Sequence, residues 1–127
     1  MSPPLFRFGS HKLASGRLTN VKIDCDALTD DDWEAIAFLA RCLVTPYRAV
    51  EGVPRGGEKL AEALRPYVRH DGGLLIVDDV LTTGGSMEHQ RAGRTASGIV
   101  LFSRAAPQDR PHWIQAIFQL NPLLVDE

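Results

Sequence analysis

The run Leu74 to Ser86, LLIVDDVLTTGGS, constrains this chain more than any other stretch. Four apolar residues lead into an acidic pair, then into a loop of threonine, glycine and serine. The apolar part reads as a strand buried on both faces, as in a parallel sheet. Asp78 and Asp79 then stand at the carboxyl end of that strand, where open α/β sheets bind ligands. Thr82, Thr83, Gly84, Gly85 and Ser86 read as a turn entering a helix. Such a turn offers backbone N–H groups and hydroxyls to an anion, and the helix dipole adds to the attraction. Carboxylates beside an anion-binding turn suit a ligand that carries both hydroxyls and phosphate, together with a divalent cation.

Three other readings of the run are weaker. A hydrophobic strand ending in two acids also occurs as the Walker B segment of P-loop ATPases, but that site needs a GxxxxGK[ST] loop, which this sequence does not contain. Response-regulator receiver domains also open on a strand ending in two acids, but they need a longer stretch after the pair than the residues to Glu127. A buried strand with a capped turn accounts for the apolar run, but not for two carboxylates next to two glycines.

Size and charge narrow the class. At 127 residues, with 44% hydrophobic content, the chain is expected to be one domain with one core. A net charge of −2 gives no footprint for nucleic-acid binding. No apolar stretch approaches the ~20 residues of a membrane span, and the opening MSPPLFRFGS has no signal-peptide core. The only cysteines, Cys25 and Cys42, read as free thiols in a reducing compartment, so a cytoplasmic protein is expected. His11, His70, His89 and His112 are scattered, without metal-ligand spacing.

Along the chain, residues Met1 to Ser10 carry Pro3, Pro4 and Gly9 and are expected to begin irregular. Val21 to Asp24 reads as a short strand. Thr29 reads as a helix N-cap, with Asp32 placed for a capping box and Asp30 and Asp31 favouring the helix start. Trp33, Ile36, Ala37, Ala40 and Leu43 then form a helical apolar face. The acids Asp30, Asp31, Asp32 and Glu34 are assigned to helix capping rather than to a metal. Ala49 to Val53 reads as a strand, Glu58 to Val68 as a helix with Leu60, Ala61, Leu64 and Val68 on one side, and Leu74 to Val80 as the signature strand. A short helix over Gly85 to about Ala92 and a strand over Ser97 to Ser103 follow, then a polar loop over Ala105 to Pro111. Trp113 to Leu120 is a strand or a helix, and its aromatic and branched residues favour strand. Strands alternating with helices predict an α/β fold with a compact, doubly wound parallel sheet.

The signature run resembles the 5-phosphoribosyl 1-pyrophosphate (PRPP) motif of the type I phosphoribosyltransferases at every position: four hydrophobics, two acids, two hydrophobics, then TTGGS. The resemblance implies that Asp78 and Asp79 hold ribose hydroxyls and stabilise positive charge, and that Thr82 to Ser86 hold the 5-phosphate. It implies Mg2+ as cofactor, with Asp78 and Asp79 reaching the ion through ligand or water. A second element supports it. In EGVPRGG, Glu51 to Gly57, two glycines let the backbone approach a ligand, and Arg55 offers a planar fork for phosphate oxygens. GVPRGG looks like the pyrophosphate-binding loop of orotate phosphoribosyltransferases and their relatives. The implied PRPP-binding set is Pro54, Arg55, Gly56, Gly57, Asp78, Asp79, Val80, Leu81, Thr82, Thr83, Gly84, Gly85 and Ser86, with Arg55, Asp78 and Asp79 catalytic.

The N-terminal segment, residues 1–26, resembles the hood that covers the base in orotate phosphoribosyltransferases, through Phe8-Gly9, Leu13-Ala14-Ser15-Gly16-Arg17 and Ile23-Asp24. Base-binding candidates there are Lys12, Ser15, Gly16 and Arg17, with Lys22 nearby. Many members carry lysine where this chain has Ala14. The chain also departs from the family between Glu58 and Gly73, where sixteen residues stand in place of a helix, another core strand and a long mobile loop. The fold is therefore expected to lack part of its middle. Transfer of a phosphoribosyl group to orotate or a similar base is the implied activity, impaired by the missing lid. A PRPP- or nucleotide-binding sensor or scaffold module is the alternative. A homodimer is compatible with the resemblance, since dimeric members share loops across their interface.

Overall fold

The computed structural model describes residues 4–12, 18–120 and 124–125. Four strands, β3 (Tyr47–Gly52), β4 (Gly73–Leu81), β5 (Ser97–Ser103) and β6 (Ile114–Gln119), form a parallel sheet in the order β3-β4-β5-β6. A smaller antiparallel sheet joins β1 (Phe6–Lys12), β2 (Leu18–Ile23) and β7 (Leu124–Val125) in the order β1-β2-β7. Among the described residues there are three α-helices, α1 (Asp30–Ala40), α2 (Glu58–Leu64) and α3 (Gly85–Arg91). Among the described residues, no helix is long and apolar enough to cross a membrane.

The signature strand is buried on both faces, as its unbroken apolar run requires. Leu75 and Val77 pack with Trp33, Ala37, Leu60 and Leu64 of α1 and α2, whereas Ile76 packs with Met87 of α3 and with Val100 and Ile114. Residues of opposite parity on one strand therefore serve opposite layers. Fully burying each large aliphatic side chain contributes about 1.5–3 kcal/mol, so the alternation locks the register.

The helices reach both faces in an unusual way. The β3-α2-β4 and β4-α3-β5 connections step the same way across the sheet, yet α2 and α3 lie on opposite faces. The two crossovers thus have opposite hands, and one departs from the right-handed rule. The chain runs from α2 through a 3₁₀ turn, Arg65–Tyr67, straight into β4. An extra strand on the outer side of β3, entered from α2, would give both crossovers the same hand. The short Glu58–Gly73 link removes that option and leaves β3 at the sheet edge.

Local signals mostly hold. Thr29 Oγ1 accepts from the Asp32 N–H at 3.1 Å and Asp32 Oδ2 accepts from the Thr29 N–H at 2.8 Å, closing the capping box. The last segment is the strand β6 rather than a helix. Three details differ. Residues Phe6 to Ser10 are already strand, because pairing with β2 outweighs local propensity, and Gly9, with φ 132°, sits at a bulge between Phe8 and His11. Helix α2 ends at Leu64, because Pro66 has no N–H to continue it. Leu43 and Val68 lie beyond their helices and are exposed.

Candidate functional site

The site builds outward from the end of β4. Asp78 is buried, only 8% exposed, while Asp79 is half-buried. The two acids line different hollows, although their carboxyls stand within hydrogen-bonding reach of each other. Asp78 lines a small hollow of about 40 Å³ with Thr82, Thr83, Gly84, Gly85 and Ser86. Asp79 lines a larger one of about 190 Å³ with Arg55, Gly56, Lys59, Trp33, Leu28, Asp26 and Cys25.

The α3-side hollow is made of backbone. Gly84 caps α3 in the left-handed conformation, φ 92°, and a Cβ there would lie 2.8 Å from Pro111 Cγ. Only glycine meets both demands without strain. Thr83 Oγ1 accepts from the Gly85 N–H at 3.2 Å, which holds the turn. Val80 and Leu81 line the same hollow, with the Leu81 side chain buried in the core.

The α2-side hollow is made of side chains from several elements. Gly56 stands against Asp79: a Cβ there would lie 2.5 Å from the Asp79 carboxylate. Gly57 touches the backbone of Val53 and Val77 and leaves no room for a side chain. The GVPRGG turn is anchored by Val53 N–H to Val77 O at 2.9 Å and Gly57 N–H to Val53 O at 2.8 Å. Its Pro54–Arg55 peptide is cis, and Pro54, Arg55 and Gly56 are exposed. Lys59 ion-pairs with Asp30 at 3.1 Å on the outer wall.

Electrostatics couples the two sides. Burial first, then the hydrogen bond and charge of Asp79, push the Asp78 carboxyl up to about 8, although the Asp79 N–H donates to Asp78 Oδ1 at 2.8 Å. Burial, followed by the charges of Asp79, Asp24, Asp26 and Asp78, pushes the Cys25 thiol up to about 12. Cys25 and Cys42 are both free, and Cys25 is held as an inert thiol.

The structure brings Asp78 together with the TTGGS turn, and Asp79 together with Arg55 and Gly56. Lys12 is exposed on β1; the other base-binding candidates, Ser15, Gly16 and Arg17, lie outside the described residues. The linear reading missed Cys25, Trp33 and Lys59 as neighbours of Asp79, and it missed Arg104. That arginine follows β5, is 8% exposed, and donates from its guanidinium to the Val21 carbonyl of β2 at 2.9 Å. The alternation set by Leu75, Ile76 and Val77 is not kept at Val80 and Leu81, so no spacing rule divided the two acids beforehand; the rest depends on long-range packing.

The donor set suits a hard cation shared with a ligand. Among the described residues no group of three or more His, Cys, Asp or Glu side chains converges on one point. Asp78 and Asp79 offer carboxylate oxygens only, which matches Mg2+, an ion held through one or two carboxylates plus substrate phosphates.

A parallel α/β sheet with an acid pair and an anion-binding turn at the carboxyl end of its signature strand is the architecture of the type I phosphoribosyltransferases, and comparison with solved structures shows that fold. The chain is similar to the crystal structure of orotate phosphoribosyltransferase from Aeropyrum pernix, with TM-score 0.68 and 22% identity over 91% of this chain and 88% of that one. It is similar to the UMP synthase of Leishmania donovani, with TM-score 0.71 and 20% identity over 91% of this chain and 34% of that one. A phosphoribosyltransferase from Corynebacterium diphtheriae matches with TM-score 0.62 and 16% identity over 87% of this chain and 88% of that one. No protein-family model and no curated protein matches the sequence.

Proposed function

We propose that this chain binds PRPP with Mg2+ and transfers its phosphoribosyl group to a ring nitrogen of orotate or a similar base. The observation that carries the reading is the pair of hollows at one strand end, each with its own carboxylate and its own glycine loop. A ligand with phosphate at one end, pyrophosphate at the other and ribose hydroxyls between them matches that layout.

In this reading Thr82 to Ser86 bind the 5-phosphate through backbone N–H groups and hydroxyls. Asp78 and Asp79 hold the ribose hydroxyls, and the negative charge of the Asp79 carboxylate, joined by Asp78 when it is ionised, favours the cationic character that develops at C1. Pro54 to Gly57 receive the pyrophosphate, with the Arg55 fork on its oxygens. The C1–O bond breaks with its electron pair leaving on pyrophosphate, the base nitrogen forms the new C1–N bond, and the proton of that nitrogen passes to the departing pyrophosphate or to water. Bound Mg2+ would be held by Asp78 and Asp79 directly or through water, and supplies neutralisation of the leaving charge. The described N-terminal strands β1 and β2 serve as a hood over the base. Arg104, buried beside β2, gives that space a cation suited to an anionic base.

Calorimetry with PRPP and Mg2+, followed by assay of pyrophosphate release with a panel of bases, tests this. Binding with release supports the transferase. Binding without release across the panel identifies a PRPP-binding sensor or scaffold instead. Folded protein that does not bind PRPP overturns both.

A further inference from the structure

We propose that the ion pair between Glu51 and Arg94 is a positioning clamp that sets the spacing between the TTGGS turn and the GVPRGG loop, so that both grip one ligand at once. This rests on the reading of the two loops given above and adds residues outside either hollow.

Glu51 is the penultimate residue of β3, just before the GVPRGG loop. Its neighbour Val50 packs on the α1 and α2 side, so Glu51 faces the α3 side. There its carboxylate accepts both arms of the Arg94 guanidinium, at 2.8 and 2.9 Å, and the Gln90 side-chain amide at 2.9 Å. Arg94 also donates to the Gln90 carbonyl at 2.7 Å and to the Arg91 carbonyl at 2.9 Å. One guanidinium thus closes the carboxyl end of α3 and ties it to β3, across the face of β4.

The other end of α3 begins at Gly85, inside the TTGGS turn. A seven-residue helix is a short rod about 10 Å long, so its two ends move together. The β3–β4 ladder runs to Gly52 and Val77, and the Val53 N–H still donates to the Val77 carbonyl at 2.9 Å. That ladder ties the GVPRGG loop to β4 and not to α3; the clamp joins β3 to the helix that opens on the TTGGS turn. A second tie fixes α3 from the opposite flank: the Trp113 indole donates to Glu88 at 2.7 Å, and Arg91 lies 4.8 Å over the Trp113 ring while pairing with Glu88. Hydrogen bonds from Arg94 and Gln90 hold the Glu51 carboxyl down to about 2, so the pair stays ionised at neutral pH.

A clamp and a plain brace differ in which ligands notice its loss. PRPP spans both loops, whereas ribose 5-phosphate engages the TTGGS turn and pyrophosphate engages GVPRGG. Arg94→Ala should weaken PRPP binding about tenfold or more, because alignment converts the second grip into an intramolecular one. Its affinities for ribose 5-phosphate and for pyrophosphate with Mg2+ should each change less than about twofold. Glu51→Gln, which keeps shape and loses charge, should show a smaller loss with the same selectivity, and carries the test should Arg94→Ala fail to fold. Calorimetry with the three ligands, on protein whose melting curve shows it folded, gives the answer. An equal fall for all three, or no fall for PRPP, overturns the clamp while leaving the function standing. Wild-type protein that binds none of the three overturns the reading of the loops and the clamp with it.

Discussion

The two sides of β4 are built differently. On the α3 side, a hollow of about 40 Å³ is lined by one continuous stretch, Asp78 to Met87 without Asp79. On the α2 side, a hollow of about 190 Å³ draws on five separate places in the chain, from Cys25 to Asp79. The first is preformed by local backbone geometry, with Gly84 wedged against Pro111. The second exists only because helices and loops distant in sequence pack together. An anion can be held by a local turn, since backbone N–H groups need no partner from elsewhere. A larger, chemically mixed ligand end needs walls from several elements. The α3 side should therefore tolerate changes elsewhere in the fold, while the α2 side should depend on them.

Four experiments sharpen or break this contrast. The largest effect is expected for Gly56→Val, which drives a branched side chain into the Asp79 carboxylate. Overpacking of this kind costs about 1–3 kcal/mol, so pyrophosphate affinity by calorimetry should fall roughly 10- to 100-fold, with a smaller fall for ribose 5-phosphate, which keeps the TTGGS turn and Asp78. Equal loss of both ligands would show that the hollows are not separate. Gly84→Ala is the mirror test. A left-handed residue with a Cβ costs about 1–2 kcal/mol, and contact with Pro111 adds to it. The melting temperature and ribose 5-phosphate affinity should drop together, and an unchanged melting temperature would contradict the observed turn.

The third experiment concerns protonation. The Asp78 carboxyl is raised from 3.8 to about 8 by burial and by Asp79. A carboxyl raised on folding stabilises while it holds its proton. That contribution is complete below 3.8 and is lost as pH rises through 8. The melting temperature should therefore decline between about pH 5 and 8, and Asp78→Asn should flatten the decline. At the alkaline end the variant should melt higher, by about 4 °C for each kcal/mol recovered. A variant with the wild-type pH slope would show that Asp78 is not the group responsible. The smallest effect is expected for Thr29→Ala, which opens the capping box of α1 and costs about 1 kcal/mol. Chemical denaturation should register the loss, and ligand affinities should stay as they are; a large affinity change would mean that α1 positions the α2-side hollow more directly than its packing shows.

Much of this was legible in the linear chain. The signature strand, the Thr29 cap, the β5 strand and the turn at Gly84 each carry their signal in a few consecutive residues, even where distant contacts complete them. The failures have two causes, one local and one long-range. The end of α2 moved because Pro66 interrupts it, a local signal that helical periodicity outweighed in the reading. Phe6 to Ser10 became strand only through pairing with β2. Lys59, Trp33 and Cys25 came to Asp79 through layers of packing that no spacing rule encodes, and Arg104 reached β2 from eighty-three residues away.

What the sequence by itself determined is the local machinery: a strand apolar enough to be buried on both faces, an acid pair at its end, and a glycine turn able to receive an anion. What only the tertiary structure decided is the partition of those acids between two hollows, the company each keeps, and the opposite-handed crossovers that leave β3 at the edge. The reason is physical range. Turn geometry and the apolar run that suits a strand to burial are written in neighbouring residues, whereas the walls of a site and the path of the chain follow from which distant surfaces exclude water together.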